Sequence, residues 1–185
     1  MDKLYARLGY GISEKTEGFI RLGISDFDYE RGTSGSDTWK GDDDGAFALS
    51  VGLKTTFHEE GNLKWGGLAQ VSWAEYSGSR KNPDASSYQT GKFETEITEI
   101  QLSAGPTYKL MEGISVYGGP FLHVVNGDHS HSHPGGTGDY GVNEVTNFGA
   151  YIGAQVDLAT NTALNIEYQD TGDAWAIAGG VTFSF

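Results

Sequence analysis

The chain has no cysteine, which excludes a disulfide framework and any thiolate metal site. Such a composition fits passage through an oxidising compartment. Proline is scarce, at four positions in 185 residues. Cations are outnumbered, with 12 Lys and Arg against 25 Asp and Glu, for a net charge of -13. Nucleic acid is therefore excluded as a partner, because a polyphosphate calls for a basic face. Long apolar runs are missing too: no stretch approaches the ~18 consecutive apolar residues of a membrane helix. If this chain enters a membrane, it does so with strands. No secretory signal precedes the strand-like run after Met1-Asp2-Lys3, so a membrane reading implies a processed or recombinant form.

Glycine and aromatic residues are abundant. There are 28 Gly, and Tyr, Phe and Trp make up 12% of the chain. Mean hydropathy is -0.40, low enough to suggest disorder, but the β-forming aromatics argue for strands and turns. The length fits a single domain over 1–185.

No helical period runs for a useful length; what recurs is the two-residue alternation of strands. Leu4, Ala6, Leu8, Tyr10 and Ile12 alternate with polar or small residues, and Ile20, Leu22 and Ile24 repeat the pattern. Further runs follow at Phe47–Phe57, Trp65–Trp73, Ile100–Leu110, Ile114–Val124, Phe148–Leu158, Leu164–Tyr168 and Trp175–Phe185. That makes nine strands. Short links (13–18, 58–62, 111–113, 159–162) interleave with long polar ones (roughly 30–45, 78–92, 126–141), and a shorter link covers 169–173. Short turns on one side and long loops on the other are the pattern of an antiparallel transmembrane β-barrel of eight to ten strands.

A soluble lipocalin-like carrier also alternates, with its apolar face inward around a ligand. Two features favour the membrane. The second face is heavily diluted with Gly and Ala, which suits a narrow lumen better than a soluble exterior. Trp65 and Trp73 lie near opposite ends of one apolar stripe, and Tyr108 and Phe185 near short-turn ends, as an aromatic girdle requires.

The final segment, with Val181, Phe183 and a terminal Phe185 on alternate positions, resembles the C-terminal strand of bacterial outer-membrane proteins. As a pattern the resemblance covers essentially the whole chain. In size it is closest to the small barrels of the OmpA, OmpX and OmpW type. It implies an outer-membrane location, lipid bilayer and lipopolysaccharide as surroundings, and recognition of Val181, Phe183 and Phe185 by the barrel assembly machinery. Nine strands conflict with the even number of single-chain bacterial barrels. The expectation is a strand lost upstream or supplied by another chain, making ten; parallel closure of the first and last strands is the other solution.

Arg7, Arg21, Lys54, Gln70, Glu99, Gln155 and Glu167 are expected on the interior face. They would form either a polar pathway for small solutes or, as preferred here, a structural network in which buried charges are paired. His129, His131 and His133 alternate within the longest loop. Three imidazoles on one side of an extended segment could converge on a divalent metal; a solvated flexible loop is the preferred alternative, and no other cofactor is expected. Gly41-Asp42-Asp43-Asp44-Gly45 lacks the EF-hand spacing and reads as a solvated loop. No Gly-x-Ser-x-Gly elbow occurs, and no enzyme is expected. The expected role is structural, surface-directed or that of a narrow passive channel, with a metal- or cation-binding surface module or a soluble carrier as alternatives.

Overall fold

A computed structural model of the chain describes residues 2–26, 29–32, 38–43, 46–82, 89–133 and 136–183. Every element among the described residues is a β-strand. In chain order these are β1 (Asp2–Ser13), β2 (Thr16–Asp26), β3 (Tyr29–Gly32), β4 (Thr38–Asp43), β5 (Ala46–Glu60) and β6 (Leu63–Asn82). They are followed by β7 (Gln89–Met111), β8 (Ile114–His133), β9 (Gly136–Ala159), β10 (Thr162–Asp170) and β11 (Trp175–Phe183).

Nine of them form one antiparallel path, β1-β2-β5-β6-β7-β8-β9-β10-β11. The short β3–β4 hairpin lies off that path and joins it where β4 pairs with β6. The number of strands in the path agrees with the alternation, and so does the facing of their side chains. Leu4, Leu8, Leu22, Val51, Leu102, Phe148, Ile152, Ile166 and Ile177 are all exposed large apolar residues. Their pleat partners, among them Phe19, Ser50, Ser72 and Phe121, are buried. An inside-out distribution of this kind suits lipid as the outer solvent. Trp65 and Trp73 both lie on the exposed face.

Turns at the short-link end are tight. Gly61 and Gly113 sit at φ 57° and 77°, a left-handed conformation that glycine adopts without steric cost. At the other end the expected loops are largely strand. β6, β7, β8 and β9 run 20, 23, 20 and 24 residues, about twice the ~9–11 needed to span a bilayer. Most of 78–92 and 126–141 is therefore ordered ladder, and 30–45 contributes β3 and β4. These segments lack an apolar stripe because both their faces lie beyond the lipid, so only the backbone pairing marks them as strands.

Candidate functional site

The inner face divides into two levels. Nearer the short turns it is polar. Arg7 on β1 stands opposite Arg21 on β2, and both guanidinium carbons lie over the Phe19 ring, at 4.4 and 5.0 Å. Arg7 Nη2 donates to Glu17 Oε1 at 2.9 Å. Across the lumen, Glu167 on β10 lies near enough to act electrostatically on both Arg21 and Lys54, and it flanks Gly153 in register opposite Tyr117. Since β2, β5 and β10 are far apart along the sheet, this convergence shows that the sheet curls around an interior.

Gln70 Nε2 donates to Gln101 Oε1 at 2.8 Å, and Ser50 Oγ to Ser72 Oγ at 2.8 Å. His123 Nε2 lies 3.9 Å from Glu99 Oε2. Gln155 joins a different group, donating to Asp157 Oδ1 at 2.9 Å near the short-turn end. Of the interior set, then, Arg7, Arg21, Lys54 and Glu167 come together, while Gln70, Glu99 and Gln155 each belong to smaller local contacts.

Aromatic rings fill much of the remaining space, and glycines make room for them. Phe19 is paired in register with Gly52, Tyr117 with Gly153 and Phe121 with Gly149. A Cβ built at any of these three glycines would stand 2.4 Å from the ring of its partner. Phe19 and Phe121 are only 4% exposed, so neither ring has open space to move into. Valine at Gly153 is expected to cost about 1–3 kcal/mol through overpacking. Denaturant unfolding in detergent, against an isosteric control elsewhere on β9, measures the effect.

Above the charges the interior turns apolar. Ala46, Tyr76, Phe93 and Ile97 form the buried hydrophobic cluster, with Ala74 and Val125 packed against it. Tyr76 is wholly buried, its hydroxyl 2.9 Å from Ser25 Oγ. Phe93 stacks on His129 with ring centroids 6.0 Å apart, and His129 Nδ1 is hydrogen-bonded to Thr95 Oγ1 at 2.7 Å. None of these cluster residues was singled out from sequence. The alternation of Phe93, Thr95 and Ile97 with Glu94, Glu96 and Thr98 was the available signal.

The histidine run lies within β8, so the expected flexible loop is corrected to a paired strand. Regular pairing through His129 and His131 holds them in the ladder with Thr95 and Phe93. The two rings lie 5.8 Å apart on one face, while the side chain of His133, and Pro134 and Gly135, fall outside the described residues. No cluster of three or more metal-ligating side chains occurs among the described residues. Of the terminal motif, Val181 and Phe183 are exposed on β11, and Phe185 lies outside the described residues.

Outside the lipid-facing belt, two carboxylates are held below their ordinary pKa. Glu59 is lowered by its contact with Lys64, at 2.7 Å. Asp170 is lowered first by the Tyr168 hydroxyl and then by the Gly172 amide. On the outward face beyond the belt, Glu75 stands opposite Glu96, and Glu96 opposite Asp128.

No family model matches the chain, and no curated protein does. Solved structures do. The outer membrane protease OmpT from Escherichia coli superimposes with a TM-score of 0.66 at 10% identity, over 99% of this chain and 83% of its own. The translocator domain of the autotransporter NalP from Neisseria meningitidis gives 0.54 at 16%, over 99% and 79%. At such identities the likeness speaks for architecture. The chain has the all-β antiparallel fold of the bacterial outer-membrane β-barrels.

Proposed function

We propose that the protein is a non-enzymatic structural or surface barrel of the bacterial outer membrane, with an interior closed by its own side chains. The observation that carries this reading is the succession of filled layers inside: the Arg7–Phe19–Arg21 stack, the glycine–aromatic pairs, and the apolar cluster around Tyr76 above them. A barrel of this size has an interior just wide enough for side chains to fill, and the glycine–aromatic pairs use that width. The exposed apolar belt fits a lipid bilayer. The acidic row Glu75, Glu96 and Asp128 would meet lipopolysaccharide through bridging divalent cations, since like charges placed opposite one another repel unless screened. The exposed apolar positions Val181 and Phe183 are those the assembly machinery would read. Proteolysis is the activity of the Escherichia coli protein, and a fold shared at 10% identity does not bring it here.

Planar-bilayer recording tests the closed interior. The protein is expected to show no stable open-channel conductance. Steady conductance would replace this reading with that of a passive channel.

A further inference from the structure

Three cations of the polar level are set against one another. Arg7 and Arg21 stand directly opposite in register on β1 and β2, a placement that like charges make unfavourable in a ladder. Their guanidinium carbons lie within 5.0 Å of the same Phe19 ring centroid. Arg7 is also near enough to act electrostatically on both Arg21 and Lys54. The Phe19 ring offsets part of the repulsion through its quadrupole, but it brings no net charge.

Counter-charge at contact distance is short. Glu17, in register with Lys54, gives its Oε1 to Arg7. Ser50, in register with Arg21, has its hydroxyl on Ser72. The side chains of Arg21 and Lys54 make no hydrogen bond or ion pair among the described residues. Glu167 acts on both of them, but from beyond contact distance. A guanidinium and an ammonium each carry several N–H donors, and here those donors have no protein acceptor.

Lipid cannot supply one, because these side chains turn inward. Solvent can reach them from the short-turn end. Lys54 is exposed to the lumen, and a Cβ added at Gly11 on β1 or Gly180 on β11 would meet nothing within 4 Å. Small residues thus leave room on the way in.

We propose that the lumen binds a small oxyanion of the phosphate class between Arg7 and Arg21, with Lys54 as the third positive charge beside it. Such an ion accepts charge-assisted hydrogen bonds from several donors at once and matches the fork of a guanidinium. A halide lacks that geometry. Bound there, the ion would be the counter-charge of its layer and would stabilise the folded chain by mass action. Binding of this kind goes beyond a structural role and holds whether the lumen is closed or conducting.

Isothermal titration calorimetry and phosphorus NMR linewidths with inorganic phosphate test the site. The full chain is folded in a non-ionic, phosphate-free detergent, with ionic strength fixed by chloride. Saturable binding of one phosphate per chain is expected. Arg21→Gln is expected to weaken it about tenfold or more, the worth of charge-assisted hydrogen bonds to one cation. Glu167→Gln is expected to tighten it, because it removes negative charge that competes for the same cations. Lys64→Gln, whose partner Glu59 lies at the short-turn end, is expected to leave it unchanged.

Heat-modifiable gel mobility shows that each variant is folded. If Arg21→Gln does not fold, Arg21→Lys keeps the charge without the fork, and a smaller loss of affinity is expected. Glycerol phosphate in the same titration separates two sources of the ion. Weaker binding than inorganic phosphate marks a site for the free ion, tighter binding one for a headgroup, and either upholds the site. No saturable phosphate binding by the folded chain would overturn the proposal. Binding that Arg21→Gln and Glu167→Gln both leave unchanged would overturn it as well.

Discussion

Arginine at Ile152 is expected to destabilise the folded protein by about 2–4 kcal/mol, the cost of a cation on the lipid face near the bilayer midplane. Ile152 is 64% exposed on the outward face of β9, between Phe148 and Leu158 on the same stripe. The same arginine at Ser132, exposed on β8 beyond the belt, is expected to change stability by less than about 0.5 kcal/mol. Reversible unfolding in detergent or lipid measures both. The difference between the sites is the informative quantity, since a soluble barrel would treat both as surface. Equal costs would mean that the apolar stripe does not face lipid.

The second large effect concerns the lumen. Glu167→Ala removes an acid whose charge favours the charged forms of both Arg21 and Lys54. Removing one partner of a buried charge group costs about 3–5 kcal/mol. Glu167 is only half-buried and Lys54 is exposed, so a loss of about 1–3 kcal/mol, between that range and the small worth of exposed pairs, is expected. The double variant Glu167→Ala, Lys54→Met should recover part of the loss, because it removes one of the cations that Glu167 serves along with the acid. The same unfolding series gives the coupling between the two positions. Additive losses would mean that Glu167 and Lys54 do not interact.

The strands inside the lipid were legible in the sequence because two solvents act on them. Lipid demands Leu, Ile and Phe outside, the narrow interior demands Gly, Ser and paired charges, and the contrast recurs every second residue from Leu4 to Phe183. Beyond the belt that contrast fades. Glu94, Glu96, Asp128 and Ser130 face outward and resemble loop residues, although they sit in continuous ladders. The histidine run failed as a loop for the same reason: polar residues with Gly and Pro nearby carry no record of the Thr95 and Phe93 partners across the strand.

Of the interior network, the level shared by Arg7, Lys54 and Glu167 could be reached by counting from the short turns. Which acid faces which base depends on the curl of the sheet, and curl is not written in any local pattern. The Phe19–Gly52 and Tyr117–Gly153 contacts depend on register in the same way.

The long strands have a further consequence. With ten or so residues of β7 and β9 standing clear of the belt, a rise of ~3.3 Å per residue and a tilt near 45° raise the rim by about 20 Å above the lipid. Hydrogen-bonded ladders make that rim a stiff collar, where free loops would form a tangle. A ligand or antibody meeting it encounters carboxylates already fixed in their spacing, and the complex forms without first freezing a mobile chain. Recognition at this rim would be of shape, present in the folded collar and lost once the strands are separated.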